Sequence, residues 1–522
     1  MLRPPMARST PPCFLVLMAD QLAASWLPVY GHPLVQTPHL DRLAAGATVF
    51  ERAYTPYPLC APARASMLTG RHASTVGVYD NAAELRAGAP TVAHALRAAG
   101  YHTAVAGKMH FVGPDQLHGF EERLTTDIYP ADTDWTPDWE RPLDQPLPWY
   151  HTMESVLAPG VCAASMQTDY DEEVAFHAVR KLYEIARHRS EQPFFLFVSF
   201  TNPHDPWEIP ARHWARYRRQ DIDDPAVGVL ARDEVDPHSA RLRAMCQVDA
   251  AGLTAEQVRR ARHGYYAAIS YVDERIGQVL DALRGSGLED RTTVMFCADH
   301  GEMLGERGLW YKMSFLEQSA RVPLLIRPAG AAGGAEVAAR VAEPVSLVDF
   351  AATVLDLAGL DADAIAGAGE GTSLTGALSG GRAPRGPVVS EYLGEGVQAP
   401  MAMVRSGPHK LIVCLQDPDL LYDLDADPRE LHDLAGDPDH APVVARLRAE
   451  LERRLDLPAI GDRVRHSQRE RRLVSAALRR GRSHSWDHNP EVDAALQYVR
   501  NREDLYELQR QARLDSGSPD DY

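Results

Sequence analysis

The sequence predicts an α/β fold in which a large, mostly parallel central sheet is flanked by helices. Two observations lead to this prediction. The chain has 522 residues, 45% of them hydrophobic, and short apolar runs alternate with longer amphipathic segments. A chain of this length and composition can bury a large core and suggests two or three structural units. Alternation of strands and helices is typical of a parallel sheet.

The strands are predicted at five short apolar runs. They lie at residues 13–19, 102–106, 194–200, 292–297 and 323–326. Each run is nearly continuous in apolar character, which is the pattern of strands buried on both faces. Two longer segments, 172–187 and 256–283, repeat apolar residues along one helical stripe. We therefore expect two long helices that pack near the sheet.

A change in composition marks the end of the sheet region. Residues 367–387 are rich in Gly, Ala and Pro, which are typical of a boundary. After them, strand-like runs at 387–392 and 410–415 precede a helical pattern at 442–455. These patterns predict a smaller α+β unit.

The C-terminal part of the chain differs in charge from the rest. Residues 463–482 are strongly basic, whereas residues 500–522 are polar and end acidic. Such a segment either stays solvated or packs on a neighbouring subunit, so we expect an extended C-terminal tail used in oligomerisation. The predicted division is a catalytic domain at 1–380, an α+β subdomain at 381–460 and a tail at 461–522.

The charge balance and the cysteines limit the functional classes. A formal net charge of −18 argues against nucleic acid as a partner. The six cysteines form no CxxC pair and are too sparse for a disulfide framework. The N-terminal segment lacks the long apolar core of a signal peptide, and no apolar run reaches transmembrane length. We therefore expect a cytoplasmic protein without membrane association.

The basic residues are unevenly divided between 50 arginines and four lysines. The lysines are Lys108, Lys181, Lys312 and Lys410. A GC-rich coding bias explains the ratio, so only the positions of the lysines can indicate a functional requirement.

Polar side chains follow two of the predicted strands. Asp20 and Gln21 come after the first, and Asp299 and His300 come after another. Ligands in open α/β sheets bind at the carboxyl ends of strands. A single Asp in such a place is most often a helix N-cap. Two such sites on one sheet instead favour a hard divalent cation held by oxygen-rich ligands.

A third motif begins at Cys60. Pro62 suits the first position of a helix, which would place Cys60 at a helix N-terminus that favours anions. A lone cysteine is usually a buried structural residue. Here it belongs to the pattern Cys-x-Pro-x-Arg-x4-Thr-Gly, which ends at Gly70. That pattern resembles the signature of type I, formylglycine-dependent sulfatases of the alkaline-phosphatase-like superfamily.

The resemblance extends along nearly the whole chain. Gly107-Lys108, His204, Asp299-His300 and Lys312 stand where that family has its elements. Within the family, the stretches 108–132 and 485–488 resemble the members that act on choline sulfate. The resemblance implies hydrolysis of choline sulfate to choline and inorganic sulfate.

The family resemblance also implies a mechanism. A separate formylglycine-generating enzyme would oxidise Cys60, and one hydroxyl of the formylglycine hydrate would attack sulfur while the other later expels sulfate. The implied catalytic residues are Cys60, Arg64, Lys108, His110, His204 and Lys312. The implied ligands of one divalent cation, first Ca²⁺ with Mg²⁺ or Mn²⁺ as alternatives, are Asp20, Gln21, Cys60, Asp299 and His300. Gln21 stands where many sulfatases have a second Asp.

The substrate implied by the resemblance carries a quaternary ammonium group. That group offers no hydrogen bond from its nitrogen and is recognised by aromatic faces and carboxylates. The candidates are Asn81, Trp135, Trp149, Tyr150, His151 and Glu391, with Asp504 from the tail of an adjacent protomer in a dimer or tetramer.

Two other functions remain open from the sequence. The same site would serve an aryl sulfatase or a hydrolase of phosphonate or phosphate monoesters or diesters. A non-enzymatic, sulfatase-like scaffold would have an unmodified Cys60 and no metal.

Overall fold

The computed structural model describes residues 11–142, 151–189, 191–331, 339–361, 369–378, 380–383, 386–481 and 505–512. The strands are β1 (Cys13–Ala19), β2 (Thr48–Phe50), β3 (Ala53–Tyr54), β4 (His102–Gly107), β5 (Glu122–Arg123), β6 (Gly160–Cys162), β7 (Phe194–Phe200), β8 (Glu208–Pro210), β9 (Thr292–Ala298), β10 (Arg321–Val322), β11 (Leu324–Arg327), β12 (Arg340–Val341), β13 (Val345–Ser346), β14 (Val388–Tyr392), β15 (Met401–Ser406), β16 (His409–Cys414) and β17 (Leu420–Asp423). The α-helices are α1 (Pro38–Ala44), α2 (Cys60–Thr69), α3 (Ala73–Val76), α4 (Val92–Ala98), α5 (Glu154–Leu157), α6 (Met166–His188), α7 (Ala211–Trp214), α8 (Pro237–Met245), α9 (Val248–Ala251), α10 (Ala255–Gly285), α11 (Glu317–Ala320), α12 (Asp349–Leu357), α13 (Thr375–Leu378), α14 (Ala441–Arg454), α15 (Leu457–Leu478) and α16 (Leu505–Ala512).

The central sheet has eight strands in the order β12-β2-β11-β9-β1-β7-β4-β5. The strands from β9 to β5 run parallel. Only β11 reverses direction, since it pairs antiparallel with both β9 and β2. The predicted α/β class with a mostly parallel sheet is confirmed, and all five predicted strands lie within one residue of the observed bounds. Every residue of β1 and β7 is buried, which explains their continuous apolar runs.

The two longest helices pack against each other, and α6 also contacts β4 and β7. They contain the predicted helical segments, but both begin earlier than any hydrophobic periodicity shows. Ser165 and Thr254 each form a capping box with the third residue of the following helix. Such a cap satisfies free N–H groups in the first turn and sets where the helix begins.

A second, antiparallel sheet has the order β14-β15-β16-β17, and α14 packs on β15 and β16. The apolar runs and the helical pattern in this region predicted β14, β16 and α14. The strands β15 and β17 were missed, although the small α+β unit itself is present. The exact domain boundaries stay a prediction.

Part of the predicted tail is ordinary helix. Residues 457–478 form α15, whose first turn is capped by the Asp456 side chain. This helix packs on its own chain, where the sequence predicted an extended segment. Among the described residues, no helix is long and apolar enough to cross a bilayer.

Candidate active site

The carboxyl ends of β1 and β9 bring two carboxylates together. The strands are parallel neighbours with Ala19 opposite Ala298, so Asp20 and Asp299 leave the sheet side by side. The backbone N–H of Gln21 donates to Asp299 Oδ1 at 3.1 Å and ties the two strand ends. Both Asp side chains are fully buried. The predicted meeting of these residues at one edge of the sheet is what the structure shows.

Cys60 points into the same place from the first turn of α2. The helix begins at Cys60 itself, two residues before the expected start at Pro62. Pro62 still falls among the first four helical residues, whose N–H groups need no partner within the helix. The Cys60 Sγ atom lies 3.1 Å from His300 Nε2 and 3.3 Å from Lys108 Nζ. Asn81 Oδ1 accepts the N–H of Ala61 at 3.0 Å and so caps this helix next to the thiol.

The residues present fit a divalent cation. One ligand atom from each of Asp20, Cys60, Asp299 and His300 lies within 4.8 Å of all the others, and all four residues are buried. His300 Nδ1 donates to the carbonyl oxygen of Gly301 at 3.1 Å, which leaves the Nε2 lone pair facing the cluster. This is the tautomer and the outer contact that metal-binding histidines usually have.

The electrostatics of this cluster agree with that interpretation. Burial and the nearby Asp299 carboxylate raise the pKa of Asp20 above its ordinary value. Burial lowers the pKa of His300 to about 4, so the ring is neutral at physiological pH. Two crowded carboxylates and a neutral imidazole are suited to binding a cation.

Gln21 has other partners than the sequence predicted. Its Nε2 donates to Asp205 Oδ1 at 3.2 Å and to Glu302 Oε2 at 2.6 Å. Its Oε1 accepts a hydrogen bond from Lys312 Nζ. The amide therefore links the Lys312 ammonium to two buried acids, and only the second lone pair of Oε1 is left for a metal ligand bond.

Lys108 follows β4 and lies against Cys60. Its ammonium contacts Asp20 Oδ2 and lies 3.3 Å from Cys60 Sγ. Although burial acts in the opposite direction, these two neighbours raise the pKa of Lys108, so it stays charged. Gly107 makes this approach possible: its φ is +101°, and a Cβ there would lie 1.8 Å from the Ser199 carbonyl oxygen. Only glycine fits such a position.

Arg64 adds a second positive charge next to Cys60. It lies one turn after Cys60 on α2. Its Nε donates to Asp299 Oδ2 at 2.8 Å, and Nη1 donates to Ser199 Oγ at 2.8 Å. The guanidinium is buried, and its Nη2 has no hydrogen-bond partner among the described residues. A buried cation beside Cys60 with a donor that makes no hydrogen bond is suited to an anionic group of a substrate.

His110 is held by the backbone on the other side of Cys60. The N–H groups of Met109 and His110 donate to Asp127 Oδ2 at 2.8 and 2.7 Å. These bonds stabilise a left-handed backbone at His110, where φ is +57°. Burial lowers the pKa of His110, although contact with the Cys60 thiol acts in the opposite direction. A neutral imidazole beside the nucleophile can accept its proton.

His204 and Lys312 form a pair on the far side of the cluster. Lys312 Nζ donates to His204 Nε2 at 2.8 Å, and His204 Nδ1 donates to the Asp205 carbonyl oxygen at 2.7 Å. Burial and the two nearby lysines lower the pKa of His204 far below its ordinary value. The ring is therefore neutral, and its Nε2 accepts a hydrogen bond from Lys312. The family resemblance implies that His204 protonates or hydrogen-bonds the leaving oxygen, and it did not predict the contact of Lys312 with Nε2.

Aromatic rings adjoin the cluster. The Tyr129 ring lies 4.2 Å from Lys108 Nζ, and the ring centroid of Trp135 lies 5.6 Å from that of Tyr129. His151 stacks on Tyr311 with centroids 4.3 Å apart and lies 5.8 Å from His204. Trp135 and His151 thus lie near the reactive residues, as predicted. The other candidates Trp149, Tyr150 and Asp504 lie outside the described residues.

The buried acid Glu391 is placed differently from the expectation. Both of its carboxylate oxygens accept hydrogen bonds from Ser74, through the backbone N–H at 2.8 Å and through the hydroxyl. These bonds satisfy the N–H and hydroxyl groups of Ser74 in the first turn of α3, a contact that the sequence did not show. A role of Glu391 in substrate binding stays a prediction. Four residues further on, Glu395 is buried, and its Oε2 has no hydrogen-bond partner among the described residues.

Sequence reasoning missed several residues of this site. They are Tyr129, Asp127, Asp205, Glu302 and Glu395. Asp205 and Glu302 could have been selected from the sequence. Asp205 directly follows His204, and Glu302 lies two residues after His300. Nothing in the sequence distinguished Glu395 from Glu391.

Buried cations around a nucleophile at a helix N-terminus stabilise negative charge that develops during group transfer. On a mostly parallel sheet with the cluster at its strand ends, this arrangement defines an alkaline-phosphatase-like hydrolase of sulfate or phosphate esters.

Comparison with known proteins identifies the family within this class of hydrolases. The sulfatase family model matches residues 12–360, so the chain belongs to the sulfatase family and is a sulfuric ester hydrolase. The model described as "choline sulfatase enzyme C terminal" matches residues 462–514, and the model of the N-sulphoglucosamine sulphohydrolase C terminus matches residues 305–456.

Individual relatives agree with this family. The chain is 44% identical to a choline-sulfatase of Rhizobium meliloti (strain 1021), over 97% of this chain and 99% of that protein. It is 28% identical to an arylsulfatase of Clostridium perfringens, over 85% of this chain and 94% of the relative. The crystal structure of a phosphonate monoester hydrolase of Agrobacterium radiobacter superimposes with a TM-score of 0.66 at 26% identity, covering 86% and 96% of the two chains.

Proposed function

We propose that this enzyme hydrolyses choline sulfate to choline and inorganic sulfate, with a formylglycine derived from Cys60 as its nucleophile. The observation that carries the proposal is the 44% identity, over 97% of the chain, to a relative named choline-sulfatase. The site gives independent support, because aromatic rings lie next to Lys108 and the buried Glu395 carboxylate lies near Lys312. Those groups recognise a quaternary ammonium. A separate formylglycine-generating enzyme would supply the modification, and dimer or tetramer assembly stays a prediction.

Asp20, Asp299, His300, the modified residue 60 and the Gln21 carbonyl would hold one divalent cation. Ca²⁺ is the first choice, because most of these ligands are oxygen atoms, with Mg²⁺ or Mn²⁺ as alternatives. Such a cation supplies Lewis-acid chemistry, in that it lowers the pKa of a bound hydroxyl and polarises a sulfate oxygen.

Removal of the cation is expected to abolish activity and to lower thermal stability. Without it, Asp20 and Asp299 are crowded in a buried site, which is destabilising. The measurement is the rate of sulfate release and the Tm after dialysis against a chelator, and then after addition of Ca²⁺, Mg²⁺ or Mn²⁺ separately. Unchanged activity and Tm in protein shown to be free of metal would refute the cation site.

The residues of the chain divide the reaction between them. Arg64 and Lys108 bind the sulfate group and balance its charge. His110 accepts the proton of the attacking hydroxyl at position 60. Lys312 donates a proton to the leaving oxygen of choline, and His204 and Gln21 fix the direction of that ammonium by accepting its other two hydrogen bonds.

The cationic head of the substrate is assigned to the aromatic side of the site. Trp135 and Tyr129 would supply aromatic surface there, and Glu395, which lies near Asp80 and Lys312, would supply the negative charge. Burial raises the pKa of Glu395 to about 7, so a bound cation would favour its ionised form. We assign this role to Glu395 rather than to Glu391, because Glu395 Oε2 has no hydrogen-bond partner among the described residues, whereas each oxygen of Glu391 accepts a hydrogen bond from Ser74.

A comparison of substrates tests the function. We expect kcat/KM for choline sulfate to exceed that for an uncharged aryl sulfate and for a phosphonate monoester. The Glu395→Gln variant should lose about tenfold in kcat/KM for choline sulfate, since one well-placed charge contact is worth about 1–2 kcal/mol in a desolvated site. Its rate on the aryl sulfate should change little.

The matched control is Glu391→Gln, which alters an equally buried acid. It should lower Tm by weakening the contact with Ser74 while the preference for choline sulfate is retained. A wild-type enzyme that prefers the phosphonate monoester would favour the second candidate function, which the similarity to phosphonate monoester hydrolases supports. A loss of preference in Glu391→Gln and not in Glu395→Gln would reverse the assignment of the two acids.

A further inference from the structure

The helix α15 reaches from the C-terminal segment to the active site through one arginine. Arg471 forms a bidentate ion pair with Asp80, at 2.6 Å from Nη1 to Oδ1 and 2.7 Å from Nη2 to Oδ2. Its Nη1 also donates to Thr136 Oγ1 at 3.1 Å. Only 11% of the Arg471 side chain and 1% of the Asp80 side chain are exposed.

Each partner of Arg471 is adjacent in sequence to a residue of the site. Asp80 precedes Asn81, whose side chain caps α2 at Ala61 beside the nucleophile. Asp80 Oδ1 also accepts the N–H of Ala82 at 3.0 Å, so the ion pair fixes the turn that presents Asn81. Thr136 follows Trp135, whose ring lies 6.0 Å from that of His110. One guanidinium therefore connects the helix cap of the nucleophile to the aromatic ring proposed to face the substrate.

Further contacts along the same helix hold the loop that carries Trp135. The Gln468 side chain accepts the N–H of Trp139 at 3.0 Å, and Arg479 pairs with Asp134 at 2.9 Å. Arg469 pairs with Glu140 near the same loop, but both side chains are about half exposed. Exposed ion pairs contribute little to stability. A bidentate ion pair that is mostly buried holds its two side chains in one geometry. Arg471 is thus the contact of α15 that determines geometry at the site.

Resting on the proposed function, we infer that Arg471 is a positioning residue for recognition of the cationic head of the substrate. Through Asp80 and Thr136 it fixes Asn81 and Trp135 at the distances that the substrate requires. Stability alone does not account for this ion pair, since a buried ion pair can often be replaced by apolar residues without loss of stability. Its specific geometry is what an apolar contact would not supply.

The test compares Arg471→Gln, Arg471→Lys and Asp80→Asn on choline sulfate and on an uncharged aryl sulfate. We expect KM for choline sulfate to rise about tenfold or more in Arg471→Gln, with kcat reduced much less, because misplacement of binding groups by about 1 Å can cost as much as 10²-fold. The KM for the aryl sulfate should change less than threefold. Arg471→Lys keeps the charge but loses the fork, so it should restore only part of the affinity.

A double variant and a surface control separate positioning from folding. Arg471→Gln combined with Asp80→Asn should raise KM no further than the worse single variant, because both act through one contact. Arg469→Gln removes an exposed pair on the same helix and should leave both KM values unchanged. Equal losses on both substrates, or a rise in KM of less than twofold, would overturn the inference. If the wild-type enzyme does not prefer choline sulfate, the proposed function fails instead, and the KM split is then measured on the ester that it prefers.

Discussion

Replacement of Cys60 by alanine should abolish sulfate-ester hydrolysis while the protein stays folded. The proposed nucleophile is made from this side chain, and no other described cysteine lies in the cluster. Loss of a nucleophile that works with its neighbours as one unit costs about 10⁴-fold or more in kcat. Residual turnover would come only from binding and from the charges of Arg64, Lys108 and Lys312.

The structural cost of this replacement is small. Cys60 contributes one buried sulfur atom at the first residue of α2, and the helix cap is provided by Asn81. We expect a loss of about 1 kcal/mol in the free energy of unfolding, which is typical of a single buried substitution. The measurements are sulfate release, Tm and circular dichroism. Cys162→Ala is the matched control, because Cys162 is a buried free cysteine on β6 and should leave kcat unchanged.

The chemical state of position 60 provides a second measurement. Mass spectrometry of active protein from its native host should show an aldehyde-bearing side chain in the peptide that contains residue 60. An intact thiol in fully active protein would exclude the formylglycine mechanism. Unfolding of Cys60→Ala would instead indicate that the cysteine is structural.

The positions of the reactive residues were predictable because parallel strands fix where their ends meet. A buried apolar run identifies a strand, and the polar residues that follow it lie at one edge of the sheet. Asp20, Asp299 and Lys108 could therefore be assigned to one site without any knowledge of side-chain contacts. The motif that begins at Cys60 predicted both Cys60 and Arg64 for the same site, because both residues lie on the short helix α2.

Side-chain partners distant in sequence were not predictable in this way. The choice between Glu391 and Glu395 depends on Ser74, which approaches from a different helix. The sequence shows that the segment after residue 461 is basic, but it does not show which acidic residues this segment contacts. The segment was therefore interpreted as a tail. Its spacing does contain a signal: Gln468, Arg471, Ser475 and Arg479 recur on one helical face and contact a loop rich in Asp.

The four lysines share a property that the sequence could not show, namely that all of them are buried. Lys410 contacts Glu317 and Glu430, and Lys181 contacts Glu122, so these two serve as partners of acids away from the cluster. Lys108 and Lys312 are the two that contact the cluster: Lys108 lies against Cys60, and Lys312 lies against His204. A chain with 50 arginines thus uses an ammonium at both of these sites.

We therefore expect Lys108→Arg and Lys312→Arg each to lose about 10²- to 10³-fold in kcat, although the charge is kept. Loss of one precisely aimed donor at developing negative charge has that effect. At Lys108 the ammonium lies between Cys60 and the Tyr129 ring, which is 4.2 Å away, so a planar guanidinium would be overpacked. At Lys312 the donors must reach Gln21 and His204 at once.

The matched control is Lys181→Arg, which makes the same substitution at a buried lysine whose partners are two partly exposed glutamates. Its kcat should stay within about twofold of wild type, because the fork of an arginine suits carboxylates. Steady-state kinetics and Tm for the three variants decide the matter. If all three variants keep wild-type kcat, the positions of the lysines have no functional meaning. A positive charge of either shape, ammonium or guanidinium, is then sufficient at the site. If Lys108→Arg and Lys312→Arg lose kcat at unchanged Tm, the compact ammonium is required for the chemistry itself.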